Sequence, residues 1–255
     1  MSARLVRLEH DHGVARVTLD RPPLNVLHLQ MLDELASVLD EVRGLRGVKV
    51  IVLAAAGRAF SAGVDVGDHT PDRAERMLAR FHGVLGRVLA LEMPVVAVVH
   101  GAALGGGCEL AVACDVVLAA AGARFGQPEI RLAAFPPAAA VLLPRRIGRG
   151  AALDLILTGR TIDAGRAMAI GLATQVWPDE VFAREAEEYV AALAAQSRPV
   201  LRLAKRAVDE SLAHDVGGAI MEAERLYVEE LMPLEDAREG IAAFLEKRQP
   251  VWKEA

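Results

Sequence analysis

The sequence contains few aromatic residues and very few cysteines. Phe, Trp and Tyr make up 4% of its 255 residues, whereas 53% of the chain is hydrophobic. This apolar content excludes an intrinsically disordered chain. The two cysteines, Cys108 and Cys114, lie in an apolar stretch at a spacing that fits neither a zinc knuckle nor a CxxC redox pair. We therefore expect two buried thiols.

A long uncharged apolar run is also missing. The most apolar stretch, residues 94–118, is interrupted by His100, Glu109 and Asp115. A transmembrane helix needs roughly 18 uncharged residues, so we interpret this stretch as a buried core segment. The charged residues near the start leave no apolar segment for a secretory signal. We expect a cytoplasmic protein with no membrane partner.

Basic residues are not in excess. The chain has 29 Lys and Arg against 34 Asp and Glu, a formal net charge of −5, and no basic run with interleaved aromatic residues. Nucleic acid is therefore not an expected partner. None of the seven histidines lies in an H-x₃-H pair, so no catalytic metal is expected either.

Hydrophobic spacing predicts strands that alternate with helices. A hairpin is expected from residues 4–8 and 14–19, followed by buried strands at 48–53, 95–99 and 115–118 and by helices at 29–44, 74–88 and 109–113. Strands that are apolar on both faces are typical of a parallel sheet covered by helices, which predicts an α/β fold. From about residue 150 the pattern is almost purely helical, with predicted helices at 151–158, 163–170, 180–196, 199–213, 216–230 and 236–246.

A glycine-rich turn separates a predicted strand from a short apolar helix. Gly105, Gly106 and Gly107 permit a ligand to approach the backbone closely, and they leave peptide N–H groups free at a helix start. Glu109 follows in a helix with no polar face. A carboxylate in such an interior is costly unless it has partners or a catalytic role, although a helix dipole also favours an acid in the first turn.

A second glutamate, Glu129, also interrupts apolar sequence, directly after Pro128. Proline followed by glutamate is a common helix start, so Glu129 alone does not indicate a site. Together with Glu109 it can supply an acid and a base, because neighbouring carboxylates drive their pKa values apart.

Two other functions fit the sequence less well. A serine hydrolase would use Ser61, but the G-x-S-x-G pattern requires glycine where Ala59 stands, and its partners would be Asp209 and His214 in helical sequence. A dinucleotide-binding site would require G-x-G-x-x-G spacing, which the glycine-rich turn does not have, and Glu109 would repel a pyrophosphate.

Several segments together resemble the crotonase, or enoyl-CoA hydratase/isomerase, superfamily over about residues 13–252. The matching segments are VARVTLDRPPLNVL, GRAFSAGVD, PVVAVVHGAALGGGCELAVACD, FGQPEIRL, LTGRTIDA, AIGLA and EGIAAFLEKR. The resemblance implies a crotonase-like spiral of ββα turns, here assigned to residues 1–195, and a helical trimerisation region in residues 196–255. It also implies an acyl-CoA thioester substrate, no separate cofactor, and a homotrimer or dimer of trimers.

The resemblance further implies a role for individual residues. The backbone N–H groups of Val64 and Gly106 would form an oxyanion hole for the thioester carbonyl. Glu109, as base, and Glu129, as acid, would add water across the double bond. Phe244 and Lys247 match positions that contact coenzyme A across a subunit interface, although Lys247 also fits a solvated helix end.

One segment departs from the hydratase pattern. Pro137 replaces a glycine whose N–H helps to hold the catalytic water in straight-chain hydratases, and proline has no N–H to donate. The segments FPPAAA and DHTPDRAERMLARFH are similar to cyclohexa-1,5-diene-1-carbonyl-CoA hydratases, so the expected substrate is a cyclic dienoyl-CoA. The alternatives are a generic enoyl-CoA hydratase or isomerase of fatty-acid β-oxidation, a serine hydrolase and a non-catalytic acyl-CoA binding protein.

Overall fold

The alternation of strands and helices is present in the computed structural model, which describes residues 4–255. The strands are β1 (Val6–Asp11), β2 (Val14–Leu19), β3 (Val50–Ala55), β4 (Val95–Val99), β5 (Ala102–Leu104), β6 (Val116–Ala120), β7 (Arg124–Gly126), β8 (Thr161–Asp163) and β9 (Gln175–Trp177). The first predicted strand thus begins at Val6 rather than at residue 4. Residues 1–3 of the predicted spiral core lie outside the described residues.

The strands form two sheets. The larger sheet has the order β1-β2-β3-β4-β6-β9, in which β1 and β2 form the predicted antiparallel hairpin and every other pair is parallel. The smaller sheet has the order β5-β7-β8, with β5 parallel and β8 antiparallel to β7. The glycine-rich turn lies where the chain passes from β5 of the small sheet into a helix.

Helices cover the large sheet on both faces. They are α1 (Leu29–Gly44), α2 (Ala74–Leu89), α3 (Gly106–Val112), α4 (Pro137–Thr158), α5 (Ala164–Ala169), α6 (Asp179–Ala194), α7 (Arg198–Ser211), α8 (Val216–Arg225) and α9 (Glu235–Glu246). Short 3-10 turns occupy Val66–Asp68 and Pro128–Leu132, and a π-helical turn occupies Leu226–Leu231.

Alternate residues of β3 explain why its sequence is apolar throughout. Ile51 and Leu53 belong to the main core, which α1 and α2 share, whereas Val50 and Val52 pack into a second cluster with Phe182 of α6. Both faces of the strand are therefore buried, as the run of apolar residues predicted. No helix among residues 4–255 is long and apolar enough to cross a membrane.

The structure corrects three sequence predictions. The region after residue 150 is not purely helical, because β8 and β9 lie within it. Helix α4 begins at Pro137 rather than at residue 151, and Gly148, with a φ of 77°, kinks it between two halves. Helix α3 begins at Gly106 rather than at residue 109, and β5 occupies part of the stretch predicted to be a break. Strands of three residues are too short to show a period.

Candidate active site

Two chain segments that lie far apart in sequence are joined by backbone hydrogen bonds. The N–H of Ser61 donates to the carbonyl of Ala102 at 3.0 Å, and the N–H of Leu104 donates to the carbonyl of Ser61 at 3.0 Å. A side chain at Gly107 would collide with the Ser61 carbonyl, so only glycine permits this approach. The loop around residues 61–64 is thereby fixed against the glycine-rich turn.

This junction leaves two peptide N–H groups beside each other at the cavity described below. An isolated β-bridge pairs Leu27 with Val64. Its hydrogen bonds run from the N–H of Leu27 to the carbonyl of Gly63 and from the N–H of Asp65 to the carbonyl of Leu27, so the bridge does not use the N–H of Val64. Gly106 is the first residue of α3, where N–H groups have no partner within the helix. The Val64 nitrogen lies 3.3 Å from the position that a Cβ on Gly106 would occupy. Both residues line the cavity, so their two N–H groups are candidate donors to an oxygen atom of a bound ligand.

Glu109 lies in the interior, on α3. The residue is 4% exposed, and its Oε1 atom accepts a hydrogen bond of 2.7 Å from the N–H of Ala139, in the first turn of α4. Burial raises the pKa of Glu109 to about 7; the Ala139 hydrogen bond opposes this rise, and the charge of Glu129 adds to it. A carboxyl with this pKa can take up or release a proton near neutral pH.

Glu129 reaches the same region from the 3-10 turn Pro128–Leu132. Its Oε1 atom lies against Gly105, whose φ is 51° and where a Cβ would stand 2.6 Å from that oxygen. Glycine at position 105 therefore serves both the backbone conformation and the space for the carboxyl group. The Oε2 atom is buried without a hydrogen-bond partner, and burial raises the pKa of Glu129.

A cavity of about 580 Å³ brings these groups together. Val64, Gly106, Glu109, Glu129 and Pro137 all line it, which are five of the seven site residues predicted from the sequence. Most of the remaining wall is apolar and comes from α2 and from the segment that leads into α4, including Met77, Leu78, Phe81, Leu132, Phe135 and Pro136. His69 and Arg131 add the other ionisable side chains of the lining.

Phe244 and Lys247 do not line this cavity. Both are exposed at the C-terminal end of α9, where Phe244 is 83% exposed and Lys247 has a left-handed φ of 55°. A role for them in binding coenzyme A across a subunit interface stays a prediction.

Ser61, the nucleophile of the alternative serine-hydrolase function, has no access to a substrate. Ser61 is fully buried, and its hydroxyl donates to the carbonyl of Asn25 at 2.8 Å and accepts from the N–H of Gly63. Asp209 and His214 are exposed in the C-terminal helical region. These three residues do not form a triad. Within residues 4–255, no group of three His, Cys, Asp or Glu side chains could hold a metal ion.

Sequence reasoning missed two contributors to the site. The N–H of Ala139 holds Glu109, but a backbone donor leaves no signature in residue type. His69 lines the cavity, but it lies in a loop without periodic spacing, and its place in the same cavity as Glu129 depends on tertiary packing. The only signal for His69 was its place in the segment DHTPDRAERMLARFH.

Known proteins resemble this chain over nearly its full length. The sequence model of the enoyl-CoA hydratase/isomerase family matches residues 9–255. A cyclohexa-1,5-dienecarbonyl-CoA hydratase of Thauera aromatica is 38% identical over 250 residues, covering 97% of this chain and 96% of that protein. A probable enoyl-CoA hydratase of Mycobacterium tuberculosis is 37% identical over 253 residues, covering 98% of each.

Solved structures share the fold as well. The crystal structure of an enoyl-CoA hydratase from Bacillus anthracis superposes with a TM-score of 0.93 at 32% identity, covering 98% of this chain and 100% of the other. These matches confirm the family resemblance and the α/β fold predicted from the sequence.

Proposed function

Since the chain belongs to the enoyl-CoA hydratase/isomerase family, we propose that it adds water to the double bond of an α,β-unsaturated acyl-CoA thioester. One observation carries the proposal. A buried carboxyl group, that of Glu109, and a partly buried one, that of Glu129, both have raised pKa values and share a cavity with Val64 and Gly106, whose peptide N–H groups can serve as hydrogen-bond donors. Retention of both glutamates favours water addition over isomerisation. Coenzyme A enters as part of the substrate, and the reaction calls for no separate cofactor.

The geometry supports the following sequence of steps. The thioester carbonyl accepts hydrogen bonds from the N–H groups of Val64 and Gly106, which stabilise the enolate as negative charge develops on the oxygen. Glu109, as carboxylate, takes a proton from water while the water oxygen attacks C3. Glu129, as the acid, gives its proton to C2. The apolar wall excludes bulk water and strengthens both hydrogen bonds to the oxygen.

The direct test replaces each glutamate by its neutral isostere. We expect Glu109→Gln and Glu129→Gln each to lower kcat by about 10²–10⁴-fold, with acyl-CoA affinity in calorimetry nearly unchanged. The double variant should lose less than the product of the single losses, because the two groups act as a unit. Glu41→Gln, an exposed substitution on α1, serves as the matched control. Near wild-type hydration by both single variants would overturn the mechanism.

For the acyl group we propose a cyclic dienoyl thioester, cyclohexa-1,5-diene-1-carbonyl-CoA. Pro136 and Pro137 form part of the cavity wall, where a second proline in place of glycine adds bulk and removes an N–H donor. The 38% identity to the Thauera aromatica enzyme supports the same choice. The generic enoyl-CoA hydratase remains the competing function, because relatives named as probable enoyl-CoA hydratases are equally similar, at 37–38% identity.

A substrate panel separates these functions. Hydration of the cyclic dienoyl-CoA and of crotonyl-CoA is followed by loss of the conjugated thioester absorbance. We expect a higher kcat/KM for the cyclic substrate. A higher value for crotonyl-CoA would leave the generic hydratase, and tight binding of both thioesters without turnover would indicate a binding protein.

We also propose that the chain assembles as a homotrimer or a dimer of trimers through residues 196–255. Large apolar side chains remain exposed on its C-terminal helices, among them Leu212, Val216, Met221 and Phe244. Such a concentration is typical of a surface that another subunit covers.

A further inference from the structure

Phe81 lines the cavity, and the steps proposed above assign it no task. It lies in the middle of α2, belongs to the main core and is 2% exposed. The apolar spacing of α2 is sufficient to explain a buried residue at this position. It does not explain why the ring also reaches the glycine-rich turn.

The tip of the Phe81 ring packs against the first residue of α3. A Cβ on Gly106 would stand 3.2 Å from Cζ of Phe81, 2.7 Å from Cγ2 of Val64 and 3.3 Å from the nitrogen of Val64. Glycine at position 106 thus leaves the space that both side chains use. One residue with a proposed donor is therefore held between the ring of Phe81 and the other such residue.

Hydrogen bonds tie the two donor segments to different parts of the fold. The residues on both sides of Val64 hydrogen-bond to Leu27, whereas the residue before Gly106 donates to the carbonyl of Gly126, in β7, at 2.9 Å. Within residues 4–255, no backbone hydrogen bond joins Val64 to Gly106. The spacing of the two donors therefore depends on side-chain packing as well as on the backbone junction at Ser61.

We propose that Phe81 is a positioning residue that holds Gly106 against Val64, so that the N–H groups of both residues donate to the same thioester oxygen. The inference rests on the hydration reaction proposed above. Removal of one oxyanion donor costs about 10²–10³-fold in kcat, and a misplacement of about 1 Å can cost about 10²-fold. Loss of the Phe81 contact would shift a donor without removing it, so the lower end of this range applies.

The first test is the kinetics of hydration. Phe81→Leu keeps an apolar side chain in the core but is too short to reach Gly106. We expect kcat to fall by about 10-fold to 10²-fold and KM to change little, because the hydrogen bonds strengthen as charge develops in the transition state. Phe81→Met keeps the reach of the side chain and should recover most of the lost rate. Phe182→Leu, the same substitution in the second core cluster, is the matched control.

A tyrosine variant disturbs the same contact in the opposite direction. The hydroxyl group of Phe81→Tyr extends from Cζ toward Gly106, so we expect kcat to fall in this variant too. It also serves as the test if the leucine variant does not fold. If the folded variants lose no more kcat than Phe182→Leu does, the inference is overturned.

A second measurement does not depend on turnover. Hydrogen bonds to a carbonyl oxygen weaken the C=O bond and lower its stretching frequency. Isotope-edited infrared spectroscopy follows this band in butyryl-CoA and cyclohexanecarbonyl-CoA, two saturated thioesters that cannot be hydrated, labelled at the carbonyl carbon. We expect the wild type and Phe182→Leu to lower the frequency equally and Phe81→Leu to lower it less. The same frequency in all three proteins would contradict a role for Phe81 in placing the donors.

The proposed function and the role of Phe81 can fail separately. If the wild type hydrates no enoyl-CoA, the proposed function fails, and the carbonyl band of the bound thioesters still decides whether Phe81 places the donors. If the wild type is active and lowers the carbonyl frequency, but Phe81→Leu matches it in kcat and in frequency, only the role of Phe81 fails. A wild type that leaves the frequency unchanged would contradict the oxyanion hole and the role of Phe81 together.

Discussion

Glu109 places an ionisable carboxyl group in the protein interior, where the charged form is disfavoured. The folded protein holds the proton of its carboxyl group more tightly than the unfolded chain does, since burial raises its pKa from 4.5 to about 7. Ionisation of Glu109 therefore opposes folding, and the free energy of unfolding should decrease as the pH rises through this interval.

Replacement of Glu109 by glutamine should remove this pH dependence. At pH 5 both side chains are neutral in the folded protein, and the Ala139 N–H retains an oxygen acceptor in the variant. At pH 8 we expect Glu109→Gln to be more stable than the wild type by about 3 kcal/mol, the equivalent of the pKa difference. Denaturant unfolding at both pH values measures the change. If the free energies of unfolding of Glu109→Gln and the wild type differ by the same amount at pH 5 and at pH 8, that result would contradict the raised pKa.

Individual residues differed in how well the sequence predicted them. Glu109 and Glu129 were found because each places a carboxyl group in apolar sequence, which is unusual enough to require an explanation. The predicted burial of Cys108 and Cys114 is confirmed. The contact between Glu129 and Gly105 could not be predicted, because it depends on the packing of a 3-10 turn against a glycine 24 residues earlier.

At the scale of elements, the start of α4 links the fold to the proposed substrate preference. Pro137 is the first residue of the helix, where its missing N–H has no partner in any case and its fixed φ suits the helix. Two residues later, Ala139 supplies the N–H that holds Glu109. The prolines thus fix the entry of the helix without removing the donor that Glu109 uses.

Pro137→Gly should shift the substrate preference. The substitution removes a ring from the cavity wall and restores an N–H group, so we expect the ratio of kcat/KM for crotonyl-CoA over the cyclic dienoyl-CoA to rise. The hydrogen bond alone accounts for about tenfold at most. Pro199→Gly, in the first turn of α7, makes the same backbone change away from the cavity and should leave the ratio unchanged. An unchanged ratio in Pro137→Gly would show that Pro137 does not determine the substrate preference.

Elements with a sustained period were predicted well, whereas short ones were not. Helices α1 and α2 span four turns each and show regular apolar spacing, so their predicted ranges agree with the structure within two residues. Strands β5, β7, β8 and β9 have three residues each and draw their stability from pairing with distant strands. That pairing is a tertiary property, which local sequence does not encode.

At the scale of the whole molecule, the exposed apolar residues of the C-terminal helices predict association. Leu212→Glu should weaken the assembly, because Leu212 is 78% exposed in one chain and burying a leucine contributes about 1.5–3 kcal/mol. We expect light scattering to detect smaller species, and KM for the acyl-CoA to rise if a neighbour supplies Phe244 and Lys247. Leu157→Glu, 62% exposed on α4, is the control. An unchanged mass in Leu212→Glu would place the interface elsewhere.

The three hydrogen-bond donors of the proposed reaction centre, on Val64, Gly106 and Ala139, all belong to the main chain. A peptide N–H is present whatever side chain its residue carries, proline excepted. Inherited substitutions that respect the space at positions 64 and 139 can therefore reshape the acyl pocket while the donors persist. We expect such a site to change from one thioester substrate to another through intermediates that all remain active, because only the two carboxyl groups and the glycines at positions 105–107 are tied to residue identity.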